Sequence, residues 1–345
     1  MKVLITGATG FLGKQVLRHL VADADITQID VISRKKSTHP APKVRVLQQN
    51  LADLTAVERL SREDYDAALH LAGLYDFEAK FPENYRENVL ATLNVISALK
   101  RINQKRRAPL IHASTYAVGY GNGGELSEAP LAHLPPKDIP YSYCKAAGEK
   151  AVTSSGIPHT VLRPGVLVGD SIRGDFDKTD GPYYFMKWLA RTAAHAVGRR
   201  LPVLPVPGHP DAILPLVPVD FAAKGFYLAL RTQLGLDGPT PADAVYGLFN
   251  SKSVTVQDFC RRAVSELLPN AKIFYLPSLA RPLLRAQKIL TGIPEATFRF
   301  ASEKTALSSA LYTAAFPECA VPEFESFQEV FFKGFKRHYL GGTEP

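Results

Sequence analysis

The chain has 345 residues, 46% hydrophobic and 21% charged, with a net charge of +8. That length exceeds one minimal domain and falls short of three, and the composition excludes a fibrous or disordered chain. The basic residues are scattered. Their densest group (Lys100, Arg101, Lys105, Arg106, Arg107) falls at an expected helix end, which suits cations, so nucleic acid is not an expected partner. Cys144, Cys260 and Cys319 lack paired or metal-type spacing, so neither a disulfide nor a metal centre is expected. No apolar run reaches spanning length and nothing precedes the first strand. The expectation is a cytoplasmic protein without an integral membrane segment, with peripheral membrane contact left open.

Lys2–Thr6 is an apolar run of strand type. Gly7, Gly10 and Gly13 follow at a spacing of three, and Phe11, Leu12, Val16, Leu17 and Leu20 then repeat with helical period. Strand, glycine turn and helix form a dinucleotide-binding unit. Gly7 permits the tight turn, Gly10 lets the backbone approach a pyrophosphate, and Gly13 lets the helix pack close to the strand. The phosphates would rest on free N–H groups at the helix N-terminus. The text Thr-Gly-Ala-Thr-Gly-Phe-Leu-Gly resembles the extended short-chain dehydrogenase/reductase superfamily, of epimerase/dehydratase-like fold. The resemblance implies that Gly7, Thr9, Gly10, Phe11, Leu12 and Gly13 line the cofactor site.

Residues 26–33 read as the second strand, ending Ser33-Arg34-Lys35-Lys36. An acid at this end would accept from a ribose 2′-hydroxyl, whereas an Arg suits a 2′-phosphate. Asp30 lies three residues inside the strand, so Arg34 points to NADP(H) over NAD(H). Residues 44–47 form a third strand. The resemblance implies that Asn50 and Leu51, just after it, touch the adenine, with Asn50 standing where Asp is usual. The fourth strand ends His70-Leu71-Ala72-Gly73, similar to superfamily text whose small residues let the backbone lie against the cofactor. His70, inside an apolar strand, reads as a core residue. A helix over 82–100 carries Asn88, the polar member of an Asn-Val-x-x-Thr-x-Asn-Val pattern.

Residues 109–113 form the fifth strand, and Ser114-Thr115 follow at the edge where open α/β sheets bind ligands. Tyr141 and Lys145 are four apart, hence on one helix face. A phenol can deliver a proton to a developing alkoxide if its pKa is brought toward the working pH, and a nearby ammonium acts in that direction. Thr115 would bond the substrate oxygen, and Lys145 could also reach the nicotinamide ribose. The spacing alone is not selective, because Tyr183 and Lys187 repeat it. Position between the fifth strand and the next, 160–163, favours Tyr141/Lys145. Tyr183/Lys187 reads as an amphipathic helix start, and Tyr143 as packing. Arg163-Pro164-Gly165-Val166 resembles superfamily text in which Pro164, Gly165 and Val166 lie against the nicotinamide. Asp220 reads as a helix N-cap, and 245–251 as a last strand followed by a helix.

The expected fold is α/β: a Rossmann-type doubly wound parallel sheet with a smaller, mostly C-terminal substrate-binding region. Residues 1–168, rejoined in part by 211–260, would bind NADP; 169–210 and 261–345 would bind substrate. The polar loop from Gly169 looks like a substrate lid or wall. Residues 276–293, apolar with basic residues between, read as an amphipathic helix packing on the body, with lipid or substrate contact as the alternative. An aromatic-rich packing helix is expected over 324–339. Ser114-Thr115, Arg34 and the opening text lean toward the fatty acyl reductase and thioester reductase branch. The resemblance then implies an NADPH-dependent oxidoreductase acting on a lipophilic small molecule (acyl thioester, aldehyde or ketone), and it suggests a homodimer. Two alternatives stand beside it: a nucleotide-sugar epimerase or dehydratase using NAD, and a non-catalytic dinucleotide sensor.

Overall fold

The computed structural model describes residues 1–103, 107–195, 203–238, 243–269, 271–276 and 287–341. Seven strands form one sheet: β1 (Lys2–Thr6), β2 (Gln28–Ser33), β3 (Val44–Gln48), β4 (Ala67–His70), β5 (Leu110–Ala113), β6 (His159–Pro164) and β7 (Ala244–Leu248). Their order is β3-β2-β1-β4-β5-β6-β7. Every pairing is parallel. The chain therefore reverses its direction of travel across the sheet between β1 and β4. A crevice opens there at the C-terminal strand ends, where such folds bind ligands. The central strands read as continuous apolar runs because helices cover both faces.

On one face, α1 (Phe11–Ala22) buries Val16, Leu17 and Leu20. It shares a core with Phe226 and Leu230 of a later helix, Val219–Gln233. On the other, α2 (Ala91–Ile102) buries Val95, Ile96, Leu99 and Ile102. Next to it runs α3 (Pro140–Thr153), the helix that carries Tyr141 and Lys145. A third core lies away from the sheet, between α4 (Pro182–His195), α5 (Val256–Leu267) and α6 (Phe324–Leu340). Phe324, Phe327, Phe331, Phe332 and Phe335 of α6 are its buried stripe, at the expected helical spacing.

Local readings differ from the structure at two places. Asp220 is not a cap. Pro218 holds that position, and Asp220 lies in the first helical turn. Its carboxylate accepts from the Ser171 N–H (2.9 Å) and hydroxyl (2.6 Å), so it pins the loop after Gly169. Of the stretch 276–293, Leu276 ends a short strand, Ile273–Leu276, paired with Leu204–Pro207. Residues 277–286 lie outside the described residues, residues 287–291 are helical, and Ile293 is buried. No helix among the described residues is long and apolar enough to cross a membrane.

A buried ion pair fixes α3 to the sheet. Arg163, at the end of β6, and Glu149, on α3, are both fully enclosed. The guanidinium donates to Glu149 through Nε (3.0 Å) and Nη2 (2.5 Å), and to the carbonyls of Ser127 (2.7 Å) and Ala129 (2.8 Å). The Ser114 hydroxyl donates to the same carboxylate at 2.5 Å. Removing one partner leaves a charge buried without compensation. Arg163→Met is expected to lose about 3–5 kcal/mol in urea unfolding. A loss below about 1 kcal/mol, the range of an exposed pair, would contradict this role.

Candidate active site

Gly7 turns the chain out of β1 with φ +75°. A Cβ there would lie 2.5 Å from the Ala72 nitrogen, so the turn is pressed against the end of β4. A Cβ on Gly13 would lie 2.0 Å from the Gly7 carbonyl oxygen, which is why α1 can start so close to the strand. Gly10 stands at the N-cap of α1. No side chain caps this helix, and its first turn carries no acid. Its first N–H groups thus keep no intrahelical partner, and the helix end favours an anion. The cradle fits the pyrophosphate of a dinucleotide.

Asn88 holds the opposite wall. It lies in a π-helical turn, Arg86–Leu90, just before α2. Its amide accepts from the Leu74 N–H (2.9 Å) and donates to the Leu74 carbonyl (3.1 Å) and to Asn84 (3.1 Å). The loop after β4 is thereby clamped. Gly73 faces this clamp, where a Cβ would meet Asn88 Oδ1 at 2.8 Å. Gly165 is equally enclosed: a Cβ on it would lie 2.1 Å from the Pro215 carbonyl oxygen.

Between these walls lies a cavity of about 460 Å³. Fourteen of the residues expected at the site line it: Gly7, Gly10, Phe11, Leu12, Gly13, Leu71, Gly73, Asn88, Thr115, Tyr141, Lys145, Pro164, Gly165 and Val166. Thr9, Arg34, Asn50, Leu51 and Ala72 stand outside its lining. Leu51 is core, and Asn50 bonds within its own turn to Asp53 (3.0 Å) and the Ala52 N–H (3.2 Å). Arg34 is exposed at the end of β2, 3.6 Å from Glu87. Asp30 is fully buried, bonded by Arg45 (2.5 Å) and Tyr65 (2.9 Å). Burial raises its carboxyl, and the Arg45, Gln28 and Tyr65 bonds outweigh that, leaving it below its ordinary pKa. Its oxygens are committed inside the sheet.

Thr115, Tyr141 and Lys145 meet on one side of the cavity. Burial pushes the Tyr141 phenol above its ordinary pKa, against a lowering contact with Thr115. Lys145 is turned to the Ala113 carbonyl, to which its Nζ donates at 2.5 Å. Burial brings its pKa down to about 8, against the attraction of Glu149. The contact that lowers the phenol in this arrangement is Thr115, and burial outweighs it. His70 is enclosed between Thr6 (2.8 Å) and Thr92 (3.0 Å) and is held neutral by burial, its pKa brought down to about 3. Tyr183 and Lys187 are absent from the lining. The Tyr183 hydroxyl accepts from the Gly169 N–H at 2.9 Å, and Lys187 lies over the Tyr339 ring.

Several wall residues escaped the sequence reading. The Tyr141 ring is held edge-on by Tyr75 and Phe77, each 5.3 Å away. Phe300 packs on Phe77. Thr297 and Phe298 come from far along the chain. Of these, only the Gly-Leu-Tyr-Asp-Phe text after β4 offered a local signal. Lys178 and Asp180, also in the lining, belong to the polar loop after Gly169 that the sequence marked as a substrate lid or wall. The cradle makes a direct prediction. Gly7→Ala forces a left-handed alanine against the Leu71–Ala72 backbone, costing at least about 1–2 kcal/mol in thermal or urea unfolding, and weakens nicotinamide-dinucleotide binding in a fluorescence titration. Undiminished binding would detach this turn from the cofactor.

A family model described as the NAD dependent epimerase/dehydratase family matches residues 3–239. D-erythronate dehydrogenase of Haemophilus influenzae is 35% identical over 138 residues, 38% of this chain and 42% of its own length. A hybrid PKS-NRPS synthetase of Acremonium sp is 32% identical over 190 residues, 49% of this chain and 4% of the synthetase. The chain thus spans less than half the length of these curated relatives. The crystal structure of the terminal R domain from the myxalamid PKS-NRPS biosynthetic pathway has the same fold. It superposes with a TM-score of 0.73 at 21% identity, covering 98% of this chain and 90% of that one. The family match, which takes in β1 to β6 and the whole glycine cradle, settles the relationship: the chain belongs to the NAD dependent epimerase/dehydratase family.

Proposed function

We propose that this protein is an NADPH-dependent reductase of a lipophilic carbonyl compound: an acyl thioester, aldehyde or ketone. The observation that carries the reading is the convergence of Thr115, Tyr141 and Lys145 on a largely apolar cavity beside the glycine cradle. The resemblance of the chain to a dehydrogenase supports redox chemistry. Residues 1–168, with part of 211–260, are assigned to the dinucleotide, and 169–210 with 261–345 to the substrate.

Bound nicotinamide dinucleotide would supply the hydride. The chain supplies the rest. The cradle from Gly7 to Gly13 holds the pyrophosphate, and Gly73, Pro164, Gly165 and Val166 flank the nicotinamide end. Thr115 donates a hydrogen bond to the substrate oxygen. Tyr141 gives that oxygen its phenolic proton as the carbonyl carbon is reduced, so that an aldehyde or ketone becomes an alcohol and a thioester becomes a hemithioacetal, which releases its thiol to leave an aldehyde. Its raised pKa keeps the proton in place at neutral pH, which suits reduction. Lys145 places positive charge beside the site and stabilises the negative charge left on the phenol. Apolar walls exclude water and strengthen each of these interactions.

The 2′-phosphate of NADPH is assigned to Arg34. Asp30 cannot accept from a ribose hydroxyl, because Arg45, Gln28 and Tyr65 already occupy its carboxylate. Arg34 has one acidic neighbour, Glu87, at 3.6 Å and exposed to screening. NADPH is expected to bind at least about tenfold tighter than NADH, the scale of one charge-assisted contact, and Arg34→Ala to remove the difference in a fluorescence titration. Equal affinities in the unmodified protein would instead favour an NAD-dependent epimerase or dehydratase.

The reductive reading is tested with NADPH absorbance on a panel of long-chain acyl-CoA thioesters, aldehydes and ketones, with UDP-glucose as the counter-substrate. Net NADPH oxidation by a member of the panel is expected. Epimerised UDP-glucose without net oxidation would overturn the reading. The pH profile follows from Lys145. Its charge is present below a pKa of about 8 and lost above it. kcat/KM for reduction is therefore expected to fall as pH rises through that value, and Lys145→Met to lack this inflection.

A further inference from the structure

Asp180 stands in the cavity wall but has no role in the reaction above. It lies just before α4, and the next residue, Gly181, takes φ +48° with its Cβ position 2.7 Å from Val166 Cγ1. The segment therefore rests on the residue assigned to the nicotinamide wall. Two bonds strap it down. Asp177 pairs with Lys14 of α1 at 2.6 Å, and Lys178 Nζ donates to the Tyr75 carbonyl at 2.9 Å. Asp180 is thus held in place over the site.

Its carboxyl shares the cavity wall with Tyr75 and Tyr141, and its charge raises the phenols of Tyr75, Tyr141, Tyr183 and Tyr184. Yet the carboxyl has no hydrogen-bond or ion-pair partner among the described residues. Lys178, the nearest cation acting on it, is turned to the Tyr75 carbonyl and ring. In the same wall, the Thr297 hydroxyl oxygen is buried without a partner. Burial pushes the Asp180 carboxyl up to about 6, so it is mainly ionised at neutral pH. Asp180 is half-buried in the cavity wall, and its carboxylate meets no donor among the described residues. A ligand that fills the cavity completes this burial; one that brings a donor avoids the cost of leaving the acceptor unpaired, and one that brings a carboxylate adds repulsion.

We propose that Asp180 determines substrate specificity by accepting a hydrogen bond from a hydroxyl or amide N–H that the lipophilic carbonyl substrate carries near its reacting end. This rests on the reductase reading for the reaction, but the recognition itself is a binding property and can be tested apart from turnover. A site built around a buried polar group discriminates strongly against the analogue that lacks its partner.

The test uses methyl decyl ketone and its β-hydroxy derivative. Binding is read from the fluorescence of Trp188, the one tryptophan of the chain, which packs 5.7 Å from the cavity residue Phe185. The unmodified protein is expected to bind the hydroxy ketone at least about tenfold tighter, the scale of a hydrogen bond to a charged group. Asp180→Leu is expected to bind both equally and to keep its affinity for the plain ketone. Asp180→Asn, which keeps the shape and an acceptor, is expected to retain part of the preference. Equal affinities in the unmodified protein, or an unchanged preference in Asp180→Leu, would overturn the assignment. NADPH oxidation is followed separately. Preference without turnover contradicts the reductase reading alone, whereas turnover of both ketones without preference contradicts the role of Asp180 alone.

Discussion

At the C-terminal edge of the sheet, the turn after β1 lies so close to the Leu71–Ala72 backbone that no side chain fits between them. This close approach follows from topology. The strand order reverses between β1 and β4, and the crevice between them leaves a gap for a ligand. Gly7 lets the turn close against β4, and Gly13 lets α1 begin directly behind it. The uncapped helix end then faces the crevice with unpaired N–H groups. The neighbouring parts of the site are placed relative to this contact: the loop after β4, the end of β5 and the start of α3.

Polar groups buried beneath the cavity give it shape. Asn88 clamps the loop at Leu74, and the Arg163–Glu149–Ser114 network ties α3 to β5 and β6. Lys145 is bonded to the last residue of β5. Each group is satisfied, so α3 has one position along the sheet, and Tyr141 is presented at one depth. Satisfied networks of this kind rigidify a core, and partly satisfied ones destabilise it. The half-buried carboxyl of Asp180 has no such partner among the described residues. It lies on the ligand side of the cavity, where a partner can come from outside the chain.

Much of this was legible in the sequence because it is local. The strand, glycine turn and helix at the start, the Ser-Thr at the end of β5, and the Tyr-x-x-x-Lys on α3 each express their geometry within a few residues. The aromatic stripe of α6 was equally plain, since its period is the helix period itself. Of the opposite wall, only the polar loop after Gly169, which carries Asp180, was legible. Tyr75, Phe77 and Phe300 meet only after the chain has folded, and no spacing links residue 75 to residue 300. Asp220 shows the same limit on a small scale. Its residue type suggested a cap, but Pro218 sets the start of the helix, and the carboxylate reaches instead to Ser171, 49 positions back. Asn50 looked free for an adenine edge, yet its amide closes its own turn.

In the proposed reaction Tyr141 is the proton donor at the cavity wall. The most direct test is the single-turnover rate of carbonyl reduction by Tyr141→Phe, with NADPH affinity measured in parallel. The ring, its contacts with Tyr75 and Phe77 and the cofactor cradle all persist in this variant, and only the hydroxyl is lost. A rate lower by about 10²-fold or more, with cofactor affinity unchanged, is the predicted result. A rate equal to that of the unmodified protein would contradict the assignment, and the proton would have to come from another group.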